Sequence, residues 1–345
     1  MNSLLLGDPS PSLRWRAAVE LDGASQDDDD VKAWRAEIDS SETVRSLLAQ
    51  LAAVGDNFRA AGYLLCQLAY LSYRGPEVDA AVEAIFALQQ PDGSWPLGRD
   101  DSDQPAARRR RGTPPPLLPR GETYRVVPVT TIHPLRGVAA AGFATDPRAE
   151  RAYEWLLTQR LDDGSWTGSH KADLGLDGRS SGEDPDYRRL TRGDGCRATT
   201  TGAVACLALH PERRRSNAAR IGVDYLLARE TREPATLGFE VSRLVALERA
   251  AGLITFYVTF DQVFLLDLAS RCGVSPEDRR VRDLVAWLET LRGPYGLLEH
   301  PVHPQLSRWL TFDLECSVRR LGEGDWIGNE EPATFRPYKR GRRRY

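Results

Sequence analysis

The sequence predicts an all-α fold of helix pairs stacked in series, and three observations predict it. Apolar residues recur at spacings of three and four along most of the chain, the pattern of amphipathic helices. From about Phe58 onward, an Ala/Leu-rich helical stretch alternates with a second helix that ends in a turn. The units "FRAAGYLLCQLAYLSYRGPEVDAAVEAIFALQQPDGSW" and "TTIHPLRGVAAAGFATDPRAERAYEWLLTQRLDDGSW" show this, and both end on the same Asp-Gly-Ser-Trp. Self-similarity of this kind marks paired helices that each bury the apolar face of the next.

The elements follow in order. "SLRWRAAVEL", "DDVKAWRAEI" and "ETVRSLLAQLAAVG" predict helices of an N-terminal cap, residues 1–57. The acidic run Asp27 to Asp30 directly precedes the second of these, where carboxylates offset the unpaired N–H groups of a helix start, so it reads as capping. The repeat region covers residues 58–322. After the two Asp-Gly-Ser-Trp units, "CRATTTGAVACLALHPERRRSNAARIGVDYLLARE" keeps the helices without the turn. "YVTFDQVFLLDLASRCGVSPEDRRVRDLVAWLETLRGPYGLLEH" keeps an aromatic, Gly-rich turn in degenerate form. A last half unit, "RWLTFDLECSVRRLG", repeats the Thr-Phe-Asp of residues 259–261 at Thr311, Phe312 and Asp313. A basic tail, 323–345, ends the chain.

The repeated turn has a physical reading. Gly tolerates positive φ, Trp offers a large apolar plate with one donor, and the upstream Gln hydrogen-bonds helix ends or loop backbone. Gln89, Trp95, Gln159 and Trp166 are therefore expected to rivet neighbouring hairpins together and not to carry chemistry.

Composition narrows the function classes. The chain has 345 residues, 41% hydrophobic and 28% charged, enough for a packed core. No stretch approaches the roughly 18 consecutive apolar residues of a membrane span. The start "MNSLLLGDPSPSLRW" lacks a basic lead, so a cytoplasmic protein is expected. The five cysteines are scattered without CxxC spacing and read as reduced thiols. Net charge is −3 with no nucleic-acid motif, which argues against DNA or RNA as partner. The basic runs at Arg108 to Arg111 and in "YKRGRRRY" read as solvated surface, with contact to phosphate or an anionic membrane as the alternative. The polar, Gly- and Asp-rich stretch 168–195 reads either as a lid or as an insertion, with His170 solvent-exposed.

"QQPDGSW" and "QRLDDGSW" after an Ala/Leu-rich hairpin resemble the QW-type repeats of the superfamily that holds squalene-hopene cyclases, oxidosqualene cyclases and protein prenyltransferase β-subunits. The resemblance covers roughly residues 58–322. It implies an α/α toroid, with inner helices ringing a cavity that takes an isoprenoid. In such a toroid the starts of inner helices face the chamber, which would bring Thr130, Thr131 and His133, then Cys196, Thr199 and Thr200, then Tyr257, Phe260 and Asp261, then Trp309, Phe312 and Asp313 near it. Aromatic faces there stabilise a developing carbocation, and an Asp kept neutral in an apolar pocket donates a proton to an alkene. Asp261, Asp313 and His133 are the expected acid or base groups, and Tyr257, Phe260, Trp309, Phe312, Thr199 and Thr200 the expected substrate contacts. Each has an ordinary structural alternative: packing for the aromatics, capping for the two Asp and for His133.

The chain departs from the cyclase pattern at the acid motif. Where the family carries DxDD, "RATTTGAVACLAL" places Arg197, Thr199 and Thr200. The zinc-dependent prenyltransferase β-subunits offer a second comparison, because "GDGC" is similar to their Asp-x-Cys pair. This implies Asp194 and Cys196 as zinc ligands, with His303 or His300 as the third. Three function classes stay open at this point: a cyclase-like or prenyl-chain-processing enzyme, a zinc-dependent prenyl transfer enzyme, and a non-catalytic toroid that binds an apolar ligand or a partner protein.

Overall fold

The computed structural model describes residues 2–95, 128–168, 195–228, 237–247 and 261–323. These residues form an all-α protein of about 14 α-helices and no strand. In chain order they are α1 (Asn2–Leu6), α2 (Pro11–Arg16), α3 (Asp29–Ser40), α4 (Glu42–Ala53), α5 (Phe58–Tyr70), α6 (Pro76–Ala87) and α7 (Pro128–Val138), followed by α8 (Pro147–Thr158), α9 (Arg197–Leu209), α10 (Asn217–Leu227), α11 (Phe239–Leu244), α12 (Gln262–Arg271), α13 (Arg279–Glu289) and α14 (Ser307–Gly322). No helix among the described residues is long and apolar enough to cross a membrane.

Local chemistry starts these helices where they start. Ser41, Asn57, Asp146 and Ser216 each accept a backbone N–H of the first turn of α4, α5, α8 and α10, satisfying donors that have no partner within the helix. Pro11, Pro76 and Pro147 sit in the first turns of α2, α6 and α8, where a missing N–H costs nothing. The acidic run straddles the start of α3: Asp29 and Asp30 stand in its first turn, while Asp28 turns its carboxylate back to Ser25 N and makes no side-chain cap. The helix expected over residues 12–21 is α-helical only to Arg16 and continues as a π-helical turn, Ala17–Leu21. A second π-helical turn, Ala139–Phe143, extends α7.

Helix contacts follow the repeat order, with α5 against α7, α7 against α9, α9 against α12 and α12 against α14. The α5–α7 approach is the tightest because Gly62 and Gly137 face each other. A Cβ on Gly62 would meet the backbone of His133 and Pro134, and one on Gly137 would meet Gly62. Tyr70 at the end of α5 bonds to Asp313 in α14, and the π turn after α2 packs on α14.

The Asp-Gly-Ser-Trp turns join one helix pair to the next. Trp95 and Trp166 are fully buried, and each indole N–H donates back to its own preceding helix, to Ile85 O and Leu156 O. Their backbone N–H groups reach forward to the next repeat, to Thr131 Oγ1 at 3.2 Å and Thr200 Oγ1 at 2.9 Å. Gly93 (φ +92°) and Gly164 (φ +82°) lie against α8 and α10 so closely that a Cβ would collide with Arg151 and Ile221. Gln89 bridges Gly93 O and Arg148 O, as expected of the upstream Gln. The degenerate turn before α14 repeats the device without tryptophan, since Leu298 N donates to Thr311 Oγ1 at 2.8 Å.

Candidate functional site

A cavity of about 720 Å³ lies between the N-terminal helices and α5, α7, α9, α11, α12 and α14. Its described wall is rich in polar and charged residues. The described aromatics on it are Trp15, Tyr70 and Phe264, and they stand among arginines and carboxylates.

Arg16 leaves α2 just where the π turn begins and grips Glu20 with two of its three guanidinium nitrogens, at 2.7 and 3.0 Å. Its guanidinium lies between two rings, 4.6 Å from the Tyr70 centroid and 4.5 Å from that of Phe312. Burial pushes the Glu20 carboxyl up, but Arg16, Arg271 and Arg320 outweigh it and leave Glu20 below its ordinary value. On another part of the wall, Arg136 of α7 pairs with Glu240 of α11 at 2.5 Å while its guanidinium faces Phe264 at 5.1 Å. Asp267 pairs with Arg271 at 2.9 Å and with Arg320. Burial pushes Asp267 up as well, and those two arginines pull it below the ordinary range.

Asp313 differs from these paired groups. It projects from the middle of α14 onto the cavity, and Tyr70 Oη donates to its Oδ2 at 2.8 Å. Burial pushes its pKa up to about 7, with Arg16 opposing and Asp267 adding. Near neutral pH the group therefore exists in both protonation states. The Tyr70 phenol, buried beside it, is pushed well above its ordinary value and stays a donor.

Asp261 also lines the cavity, yet its oxygens are occupied. Oδ1 accepts Val263 N and Phe264 N, capping α12, and Oδ2 accepts Glu240 N at 2.8 Å, tying α11 to α12. Burial raises it to about 6 in spite of those amides. The two Thr-Phe-Asp copies thus have different helix registers, one Asp ending as an N-cap and the other inside a helix. Identical letters did not carry that difference.

The other expected site residues fall as follows. Trp309 is buried against Tyr70 at 5.2 Å, Phe312 lies under Arg16, and neither is among the cavity's described lining residues. Thr199 is buried in α9, and Thr200 Oγ1 accepts Trp166 N and donates to Cys196 O, which makes it one of the rivets. His133 is buried in α7, where its carbonyl abuts Gly62, and it does not line the cavity. Tyr257, Phe260 and Asp194 lie outside the described residues, as do His170 and the basic runs.

Of the residues expected to hold zinc, Asp194 lies outside the described residues, and the others are placed as follows. Cys196 is the N-cap of α9 and donates its backbone N–H to Trp166 O. His300 uses both ring nitrogens, Nε2 towards Gly238 O at 3.1 Å and Nδ1 as acceptor for Val302 N and His303 N. His303 stacks beside it with ring centroids 5.3 Å apart. No group of three or more His, Cys, Asp or Glu able to hold a metal ion occurs among the described residues.

Arg16, Glu20, Arg136, Glu240 and Asp267 were not singled out in the sequence. The one signal for them was i,i+4 spacing of opposite charge, as in Arg16/Glu20 and Asp267/Arg271, which ordinarily marks a solvated helix face. Comparison of the chain with protein-family models and with the curated proteins finds no match.

Proposed function

We propose that the chain is an α/α toroid that processes a prenyl or comparable apolar chain held in this cavity, with Asp313 as the proton donor. The toroid rests on the order of helix contacts. Helices α5, α7, α9, α12 and α14 contact one another in series, as the inner helices of a toroid would, and the Tyr70–Asp313 hydrogen bond joins the last to the first. The likeness to QW-type repeats supports the same reading.

One observation carries the chemical part: a carboxyl group raised to about 7 faces a 720 Å³ cavity, held by a single tyrosine hydroxyl. A general acid works best when its pKa lies near the working pH. Asp261 suits this role less well, because its oxygens accept backbone amides that stabilise the carboxylate, and it acts as a positioning residue. The aromatic faces bear on the type of chemistry. Those of Tyr70, Phe264 and Trp15 are turned to arginine guanidinium groups, as is that of Phe312 behind the wall. A guanidinium beside each ring disfavours a free carbocation there, so the geometry favours proton transfer to a polar atom of the substrate over polyene cyclisation.

Incubation of the purified protein with polyprenyl alcohols, their phosphates and squalene, followed by mass analysis of products, tests this. Turnover that is lost in Asp313→Asn and kept in Asp261→Asn supports the assignment. Unchanged turnover in Asp313→Asn refutes it. Binding without any turnover favours the non-catalytic toroid, the reading that the fully paired Arg136–Glu240 and Asp267–Arg271 groups also suit.

A further inference from the structure

Three of the six cations on the cavity wall are already neutralised there: Arg16 by Glu20, Arg136 by Glu240, Arg271 by Asp267. Arg35 of α3 and Arg74, just beyond α5, are not. Arg35 donates to the Ser72 carbonyl and faces the Trp15 ring at 5.7 Å. Arg74 donates to the Ala140 carbonyl at 3.1 Å, within the second π-helical turn. Neither makes an ion pair with a carboxylate among the described residues, and each commits one of its five N–H donors. Lys32 lines the same region and is paired only to the exposed Asp27, at 3.6 Å.

The two guanidinium groups sense one another. Burial and then Arg35 hold Arg74 below its ordinary value, with Asp79 opposing. Bringing like charges together at a cavity costs free energy that a bound anion would recover. Their carbonyl bonds at the ends of α5 and α7 supply an alternative, purely structural role as helix C-terminal partners. That role uses a minority of the donors, and leaves the rest of half-buried Arg35 and exposed Arg74 at the cavity for a ligand.

We infer that Arg35 and Arg74, with Lys32 at the edge, form a seat for an oxyanion headgroup, so that the cavity takes an anionic amphiphile with a phosphate or carboxylate end. Ser72, which holds Arg35, is two residues from Tyr70, which holds Asp313. The headgroup and the proton donor are thereby served by one short stretch of chain. The inference rests on the reading of this cavity as a binding site, but it does not need catalysis.

Calorimetric titration with farnesol, farnesyl monophosphate and farnesoic acid, which share one chain, tests it. The expected result is that the anions bind about tenfold or more tightly than the alcohol, through charge-assisted hydrogen bonds, and less so at higher salt. Arg35→Gln and Arg74→Gln remove that advantage and leave farnesol binding unchanged, and Arg35→Lys keeps part of it, which separates lost charge from lost fold. The preferred anion identifies the headgroup. Equal affinities for the three compounds, or an anion preference that survives both Gln variants, would overturn the inference. If no farnesyl compound binds, the prenyl reading falls and a second arm decides: pyrophosphate alone is expected to raise the melting temperature at low salt in the native chain but not in the double Gln variant. No such difference refutes the seat. The titrations and the melting shift read no turnover, so a failed proton-donor assignment is told apart from a failed anion seat.

Discussion

Asp313 and Arg16 show how one residue sets both stability and chemistry. Burial of Asp313 raises its pKa from 3.8 to about 7, so the folded state binds more protons than the unfolded one between those values. Stability contributed by this group is therefore full below the unfolded value and is lost as pH rises through about 7. Asp313→Asn, which can still accept from Tyr70, is expected to stabilise the protein at pH 8 by on the order of 2 kcal/mol and to have little effect at pH 4, as denaturant unfolding at the two pH values would measure. Turnover, by contrast, should fall as pH rises through about 7, because a proton donor must be protonated. A variant that gains stability at pH 8 while losing activity separates function from folding. Arg16→Leu has the opposite character. It strips Glu20 of its bidentate partner and two rings of their cation, and should destabilise by about 3 kcal/mol in the same assay.

At the scale of elements, the threonines that receive the turns matter as much as the tryptophans that send them. Thr200 and Thr311 each accept a buried backbone N–H, from Trp166 and Leu298. Thr200→Val and Thr311→Val are each expected to cost about 1–2 kcal/mol in thermal unfolding, because an N–H is left without a partner. Thr199→Val, which removes no such bond, should cost less. Gly164→Ala should cost more than either, since it combines positive φ with a collision against Ile221. This level was the most legible in the sequence. The order of paired helices, the stops at Asp-Gly and the riveting role of the turns all follow from residues whose chemistry is local. The turn before α14 was harder to read, because Leu298 replaces Trp and the matching Thr311 announces nothing by itself. The site was legible in part. Asp261 and Asp313 both reach the cavity, but their division into cap and free acid depends on helix register. The Arg136–Glu240 pair spans α7 and α11, a separation over which periodicity carries no information.

At the scale of the whole molecule, the cavity wall is shared between the N-terminal helices and the repeats. Trp15, Arg16, Glu20, Lys32 and Arg35 come from residues expected to be a cap, and they close the cavity against Tyr70, Asp313 and Arg74. Removal of residues 1–57 would expose the apolar parts of α5 and α14 and leave Asp267 and Arg271 facing water. The truncated chain is expected to lose its cooperative thermal transition and to bind an apolar dye, whereas a self-sufficient repeat domain would keep a sharp transition and ignore the dye. The buried indoles of Trp95 and Trp166 have an optical consequence. Each is sealed from solvent and holds its N–H on a fixed carbonyl of its own repeat. Their emission should be blue-shifted and beyond the reach of aqueous quenchers, so single-tryptophan variants would report the integrity of two neighbouring repeats separately, in real time, in one cuvette.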